Sequence, residues 1–165
     1  MMKHIYILML LCVAPGAFSQ FYSKEAGVRG GYTSAITFRV YLEEALSYEA
    51  QMSYRGEGLI FNMIRQRHQE LGMDRFGNWR FIYGFGPHAG FYRTDRYRII
   101  FREIYFGRKV FTPVIGFDGY AAMEYQMEEI PVSFGVDYHP FMEISLRQVF
   151  GINPWDFGIY LKYRF

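Results

Sequence analysis

The sequence predicts an all-β fold: an eight-stranded antiparallel up-and-down transmembrane β-barrel, preceded by a cleavable signal peptide. Three observations carry this. Apolar and polar residues alternate with a period of two in one segment after another, which puts them on opposite faces of β-strands. Tyr, Phe and Trp number 15, 17 and 2, or 21% of 165 residues, a load suited to aromatic girdles at two membrane interfaces. The polar faces carry charges of both signs, which can neutralise one another only if those faces point toward a common interior.

The first 19 residues read as an export signal. Lys3 and His4 form a basic head, Ile5 to Val13 an apolar run, and Pro15-Gly16 a break before the small residues Ala17 and Ser19. This run is too short for a membrane-crossing helix, which needs about 20 apolar residues. Cys12, the one cysteine, lies inside it, so no disulfide or thiol chemistry is expected of residues 20–165. Lys3 is one of 18 Lys and Arg; without it 17 face 16 Asp and Glu, a net charge of +1 that gives no reason to expect a nucleic-acid partner.

No apolar stretch of 18 residues follows, so the rest is not a helical membrane protein. Ala35 to Glu43 sets Ile36, Phe38, Val40 and Leu42 against Thr37, Arg39, Tyr41 and Glu43. Tyr48 to Arg55 sets Tyr48, Ala50, Met52 and Tyr54 against Glu49, Gln51, Ser53 and Arg55, and Arg55-Gly56-Glu57-Gly58 marks a hairpin. Gly58 to His68 is less regular, with Ile60 and Ile64 on the polar side and Arg65 and Arg67 on the apolar side, where they are expected to reach toward headgroups. Trp79 to Phe91 carries Gly84, Gly86 and Gly90 on the face of Arg80 and His88, as a crowded, curved interior favours. Phe111 to Met127 opposes Ile115, Phe117, Met123 and Tyr125 to Asp118, Tyr120, Glu124 and Gln126. Val132 to His139 and Trp155 to Phe165 complete seven strands.

A meander of seven would leave its ends on opposite sides of the membrane, and single-chain bacterial barrels have even counts. Ala26 to Thr33 supplies the eighth, with a turn near Ser34; the alternative is one long strand over 28–42. Eight strands leave an interior just wide enough for side chains. The expected interior charge network is Arg29, Arg39, Glu49, Arg80, Asp118, Glu124, Asp137 and Lys162. Facing acyl chains instead, an Arg or Lys at mid-bilayer would cost about 2–4 kcal/mol.

In the last segment Trp155, Phe157, Ile159, Leu161, Tyr163 and Phe165 alternate with Asp156, Gly158, Tyr160, Lys162 and Arg164. This pattern, finishing on Phe165, resembles the terminal strand of outer-membrane barrels of Gram-negative bacteria, and residues 20–165 as a whole are similar to the OmpA transmembrane domain and OmpX-type proteins. The resemblance implies a porin-like architecture and a place in the outer membrane of the cell envelope. Its implied partners are outer-membrane lipids and the barrel-assembly machinery, which would read Trp155, Tyr163 and Phe165. Roles in envelope integrity, adhesion or surface interaction come with it.

The residues nearest to a catalytic pair are Asp137 and His139, two apart on one face, with Ser133 on that face too. Ser133 and His139 are too far apart along the strand for direct proton transfer. His4, His68, His88 and His139 are scattered, and neither a metal nor a cofactor is expected. Between the fifth and sixth strands, Arg93, Arg96, Arg98, Arg102, Arg108 and Lys109 face only Asp95 and Glu103. This basic stretch is expected outside the cell as a protruding hairpin or a short helix on the outer leaflet, offering its cations to lipid phosphates or a surface partner through residues 93–110. The leading expectation is a structural or surface-interaction barrel with a plugged polar lumen. A lipid-directed deacylase or acyltransferase and a narrow channel are the alternatives.

Overall fold

A computed structural model describes residues 23–72, 78–99, 102–146 and 149–165. Of Thr94, 96–99, 102–106 and Val149 it describes the backbone alone. The expected signal peptide lies outside the described residues.

Ten strand segments form one sheet: β1 (Lys24–Gly31), β2 (Ser34–Glu43), β3 (Leu46–Arg55), β4 (Gly58–Glu70), β5 (Asn78–Ile99), β6 (Arg102–Gln126), β7 (Val132–Tyr138), β8 (Phe141–Ser145), β9 (Val149–Asn153) and β10 (Phe157–Arg164). Successive segments pair antiparallel from β1 to β7, β8 pairs with β6 and β9, and β10 pairs with β7 and, from Gly31↔Gly158 to Glu25↔Arg164, with β1, so the sheet closes on itself and has no free edge along the barrel. β7 and β8 are halves of one strand. Their register on β6 is continuous from Ala121↔Tyr138 to Asp118↔Phe141, with only His139 and Pro140, the latter without an N–H to donate, between them. Likewise β9 and β10 are halves of the last strand. The count is therefore eight, and β1 and β2 are separate strands turning at residues 32–33 rather than one long strand over 28–42.

Phe141–Ser145 and Val149–Asn153, not expected as strand, extend both halves of the closing wall. The sequence hid them behind a bulge. Phe141 opposes Asn153, but Tyr138 opposes Phe157, so one extra residue is inserted near Pro154 to Asp156. The Trp155 N–H donates to the Asn153 side-chain oxygen at 2.9 Å, and the His139 N–H to the Asp156 carbonyl at 2.8 Å. The insertion reverses which parity faces outward: Phe150 and Ile152 before it are exposed, and so are Trp155 and Phe157 after it.

The β3–β4 turn uses positive φ at Gly56 (49°) and Glu57 (66°), the twist that joins adjacent strands in two residues. The longest pair, β5 and β6, stays paired beyond its neighbours. The β4 ladder on β5 ends at Gly58↔Tyr92 and the β8 ladder on β6 at Val114↔Ser145, whereas β5 and β6 continue from Arg93↔Phe111 to Ile99↔Arg102. The segment expected as a hairpin or a helix is a two-stranded ribbon rising from the rim.

Candidate functional site

The barrel is inside-out compared with a water-soluble one. Ile159 (67% exposed), Ile115 (61%), Phe85 (61%) and Ile36 (60%) lie on the outer surface, while Arg39, Glu25 and Glu124 are fully buried in the interior. Two polar clusters fill this interior, and Ile64, Ile82, Ala122 and the rings of Tyr120 and Tyr160 form a buried apolar cluster beside them.

The cluster nearer the end that carries Phe165 is built around Arg39 from β2. Its Nη1 donates to Glu25 and to Glu124, each at 2.8 Å, and its Nε to Glu49 at 2.8 Å. The cation thus meets carboxylates from β1, β3 and β6. Lys162 from β10 donates to Glu49 at 2.6 Å, Tyr160 to Glu124 at 3.1 Å, and Gln51 and Gln66 to the remaining capacity of Glu49 at 2.9 and 3.0 Å. These strands bring their polar residues to one level because inward positions recur every second residue and the register fixes the levels: Arg39 opposes both Glu25 and Glu49.

The second cluster joins Arg29 to Asp137 (2.6 Å) and Asp156 (3.0 Å). Thr33 donates to Asp156 at 2.6 Å and accepts from Nε of Arg55 at 2.9 Å; the Arg55 guanidinium lies 3.5 Å over the Phe141 ring. Asp118 Oδ2 takes the Asn62 amide at 2.8 Å and lies 2.8 Å from His88 Nδ1, while His139 Nε2 stands 3.3 Å from Asp118 Oδ1. Tyr92 donates to Glu143 at 3.0 Å.

Of the eight residues expected in the interior network, seven are buried in these two clusters. Arg80 is not. It points inward at the foot of β5, where it pairs at 3.2 Å with Glu70, a residue 78% exposed at the rim. Glu25, Asp156 and Glu143 were missed. Glu25 precedes the alternation taken as the first strand, and Glu143 lies in the segment hidden behind Pro140. Asp156, although visible on the polar face of the last strand, gained its meaning only with the bulge that turns it onto Arg29. Asp137 and His139 share a face but not a bond: Asp137 holds Arg29, whereas His139 lies against Asp118. The buried Ser133 Oγ has no hydrogen-bond partner among the described residues. Among these residues no group of three or more His, Cys, Asp or Glu is arranged to hold a metal ion.

On the outer basic stretch, Arg93, Arg108 and Lys109 are exposed, and Lys109 reaches Glu57 of the β3–β4 turn at 3.1 Å. The side chains of Arg96, Arg98 and Arg102 lie outside the described residues. Trp155, Tyr163 and Phe165 all face outward, and the rings of Tyr163 and Phe165 stack with centroids 6.3 Å apart.

Polarity and topology together define the class of protein: a small closed β-barrel with an ionic interior and an apolar outer wall. Compared with family models, with curated proteins and with solved structures, the chain has no match.

Proposed function

We propose that the chain is an outer-membrane β-barrel, similar to the OmpA transmembrane domain and OmpX-type proteins, with a structural or surface-interaction role in the cell envelope. The observation that carries this reading is the inverted polarity. In water, a wall of exposed Ile, Phe and Leu all round a barrel would drive association, and in hydrocarbon only a closed sheet satisfies every backbone amide. The outward aromatic edge of the last strand, Trp155, Tyr163 and Phe165, is the surface offered to the assembly machinery. The short connections at 44–45 and 127–131 belong on the periplasmic side and the β5–β6 ribbon outside the cell, where its cations meet lipid phosphates or a partner surface.

Refolded into phosphatidylcholine vesicles, the chain is expected to float with them and to resist carbonate extraction. A folded barrel that stays in the aqueous fraction would contradict the proposal. The interior favours a plug over a channel, because it is filled by side chains that bond to one another: Arg39, Glu49, Glu124 and Lys162 are buried and joined by ion pairs. In planar bilayers no steady conductance is therefore expected, and reproducible open steps from purified protein would restore the channel reading.

A further inference from the structure

The outward face of β4 changes character halfway along. Phe61 and Met63 are followed by Arg65 and Arg67, both exposed and neither paired with a carboxylate among the described residues. Cross-strand register places Arg65 between Tyr48 of β3 and Phe85 of β5, and Arg67 between Leu46 and Tyr83. Two guanidinium-bearing residues thus stand on one face about 7 Å apart, set among aromatic neighbours. The next rows along the wall are Phe38, Ala50 and Met63, then Ile36, Met52 and Phe61. These six residues border an outer groove of about 530 Å³, within the usual range of ligand clefts, about 300–1,000 Å³. Ala50 is small between larger neighbours, and on the far side Pro87 and Ala89 bound the groove.

Cations below and an apolar groove above match a lipid with a phosphate at one end and an acyl chain at the other. Given the membrane orientation proposed above, the phosphate level falls at the periplasmic interface. We infer that Arg65 and Arg67, with the groove over Ala50, form a binding site for one anionic glycerophospholipid of the periplasmic leaflet. The two guanidinium groups take the phosphate by charge-assisted hydrogen bonds, and one acyl chain lies along Met63 and Phe61. Ordinary solvation of a barrel by lipid needs neither the paired cations nor the groove.

Native mass spectrometry of the refolded chain released from detergent with phosphatidylglycerol tests this. The wild type is expected to retain one phosphatidylglycerol, Arg65→Gln/Arg67→Gln to retain at least about tenfold less, and Ala50→Phe, which fills the groove, to lose retention with both cations intact. Arg65→Lys/Arg67→Lys should recover part of it. Glycerol phosphate without acyl chains should not be retained; if it is held as well as the lipid, the site is a phosphate site alone and the lipid assignment fails. Equal retention by the wild type and the double Gln variant, or none by the wild type, overturns the inference. Co-migration of an unboiled sample with its boiled counterpart would reveal loss of the barrel itself; a mobility that changes on boiling shows that it is intact. This separates failure of the site from failure of the barrel.

Discussion

Arg39→Met is expected to remove most of the barrel's stability. The substitution keeps an unbranched chain of similar reach but leaves Glu25, Glu49 and Glu124 gathered at one level, with Lys162 still paired to Glu49. Breaking a buried ion pair from one side costs about 3–5 kcal/mol because the abandoned charge stays desolvated. Here three carboxylates lose the cation they share, in a fold whose total stability is of order 5–15 kcal/mol. The urea midpoint of the reconstituted barrel should fall steeply. Adding Glu25→Gln and Glu124→Gln to Arg39→Met should recover much of the loss, because neutral amides do not repel one another. Lys109→Met, which removes the exposed pair with Glu57, should change the stability by less than about 1 kcal/mol. An unchanged midpoint for Arg39→Met would mean that the interior does not depend on its ionic centre.

Gly86→Ala is expected to be almost as severe, for a steric reason. A Cβ at Gly86 would overlap the Met63 carbonyl oxygen of β4, and one at Gly84 the Arg65 carbonyl oxygen. These contacts are with backbone, so relief requires moving a strand. The backbones of β4 and β5 approach closely here, which glycine permits and any side chain opposes. Overpacking costs about 1–3 kcal/mol even where side chains can shift, so Gly86→Ala should lose at least about 2 kcal/mol and much of its refolding yield. Gly30→Ala is the matched control, since nothing lies within 4 Å of its added Cβ. Equal refolding of the two variants would show that the close approach of β4 and β5 is not required.

The architecture was legible where alternation ran unbroken. From Ala35 to Arg55 and from Phe111 to Met127 the period of two identifies both faces correctly, and Tyr41, inconspicuous among hydrophobes, falls on the inner face by parity alone. Legibility failed where a local event breaks the period. Pro140 interrupts a ladder without ending it, and the residue inserted near Pro154 exchanges inside for outside, so β8 and β9 looked like loop and Glu143 went unnoticed. Pairing was harder still. Alternation says that Arg29 and Asp137 both point inward, but only closure of β1 on β10, and of β10 on β7, brings residues 108 apart in the chain within bonding distance. The same limit misplaced Arg80, whose inward parity is right but whose side chain, at the foot of β5, pairs with Glu70 at the rim.

Contact between the oily wall and lipid is tested most directly by depth-dependent fluorescence quenching. In a chain carrying Trp79→Phe, Trp155→Phe and Phe117→Trp, the one remaining indole sits on the outward face of β6, midway along the barrel. In vesicles of phospholipid brominated deep in the acyl chains its emission should be strongly quenched, and headgroup-directed aqueous quenchers should have little effect. A folded barrel whose single indole is reached by aqueous quencher and spared by the brominated chains would contradict the central claim.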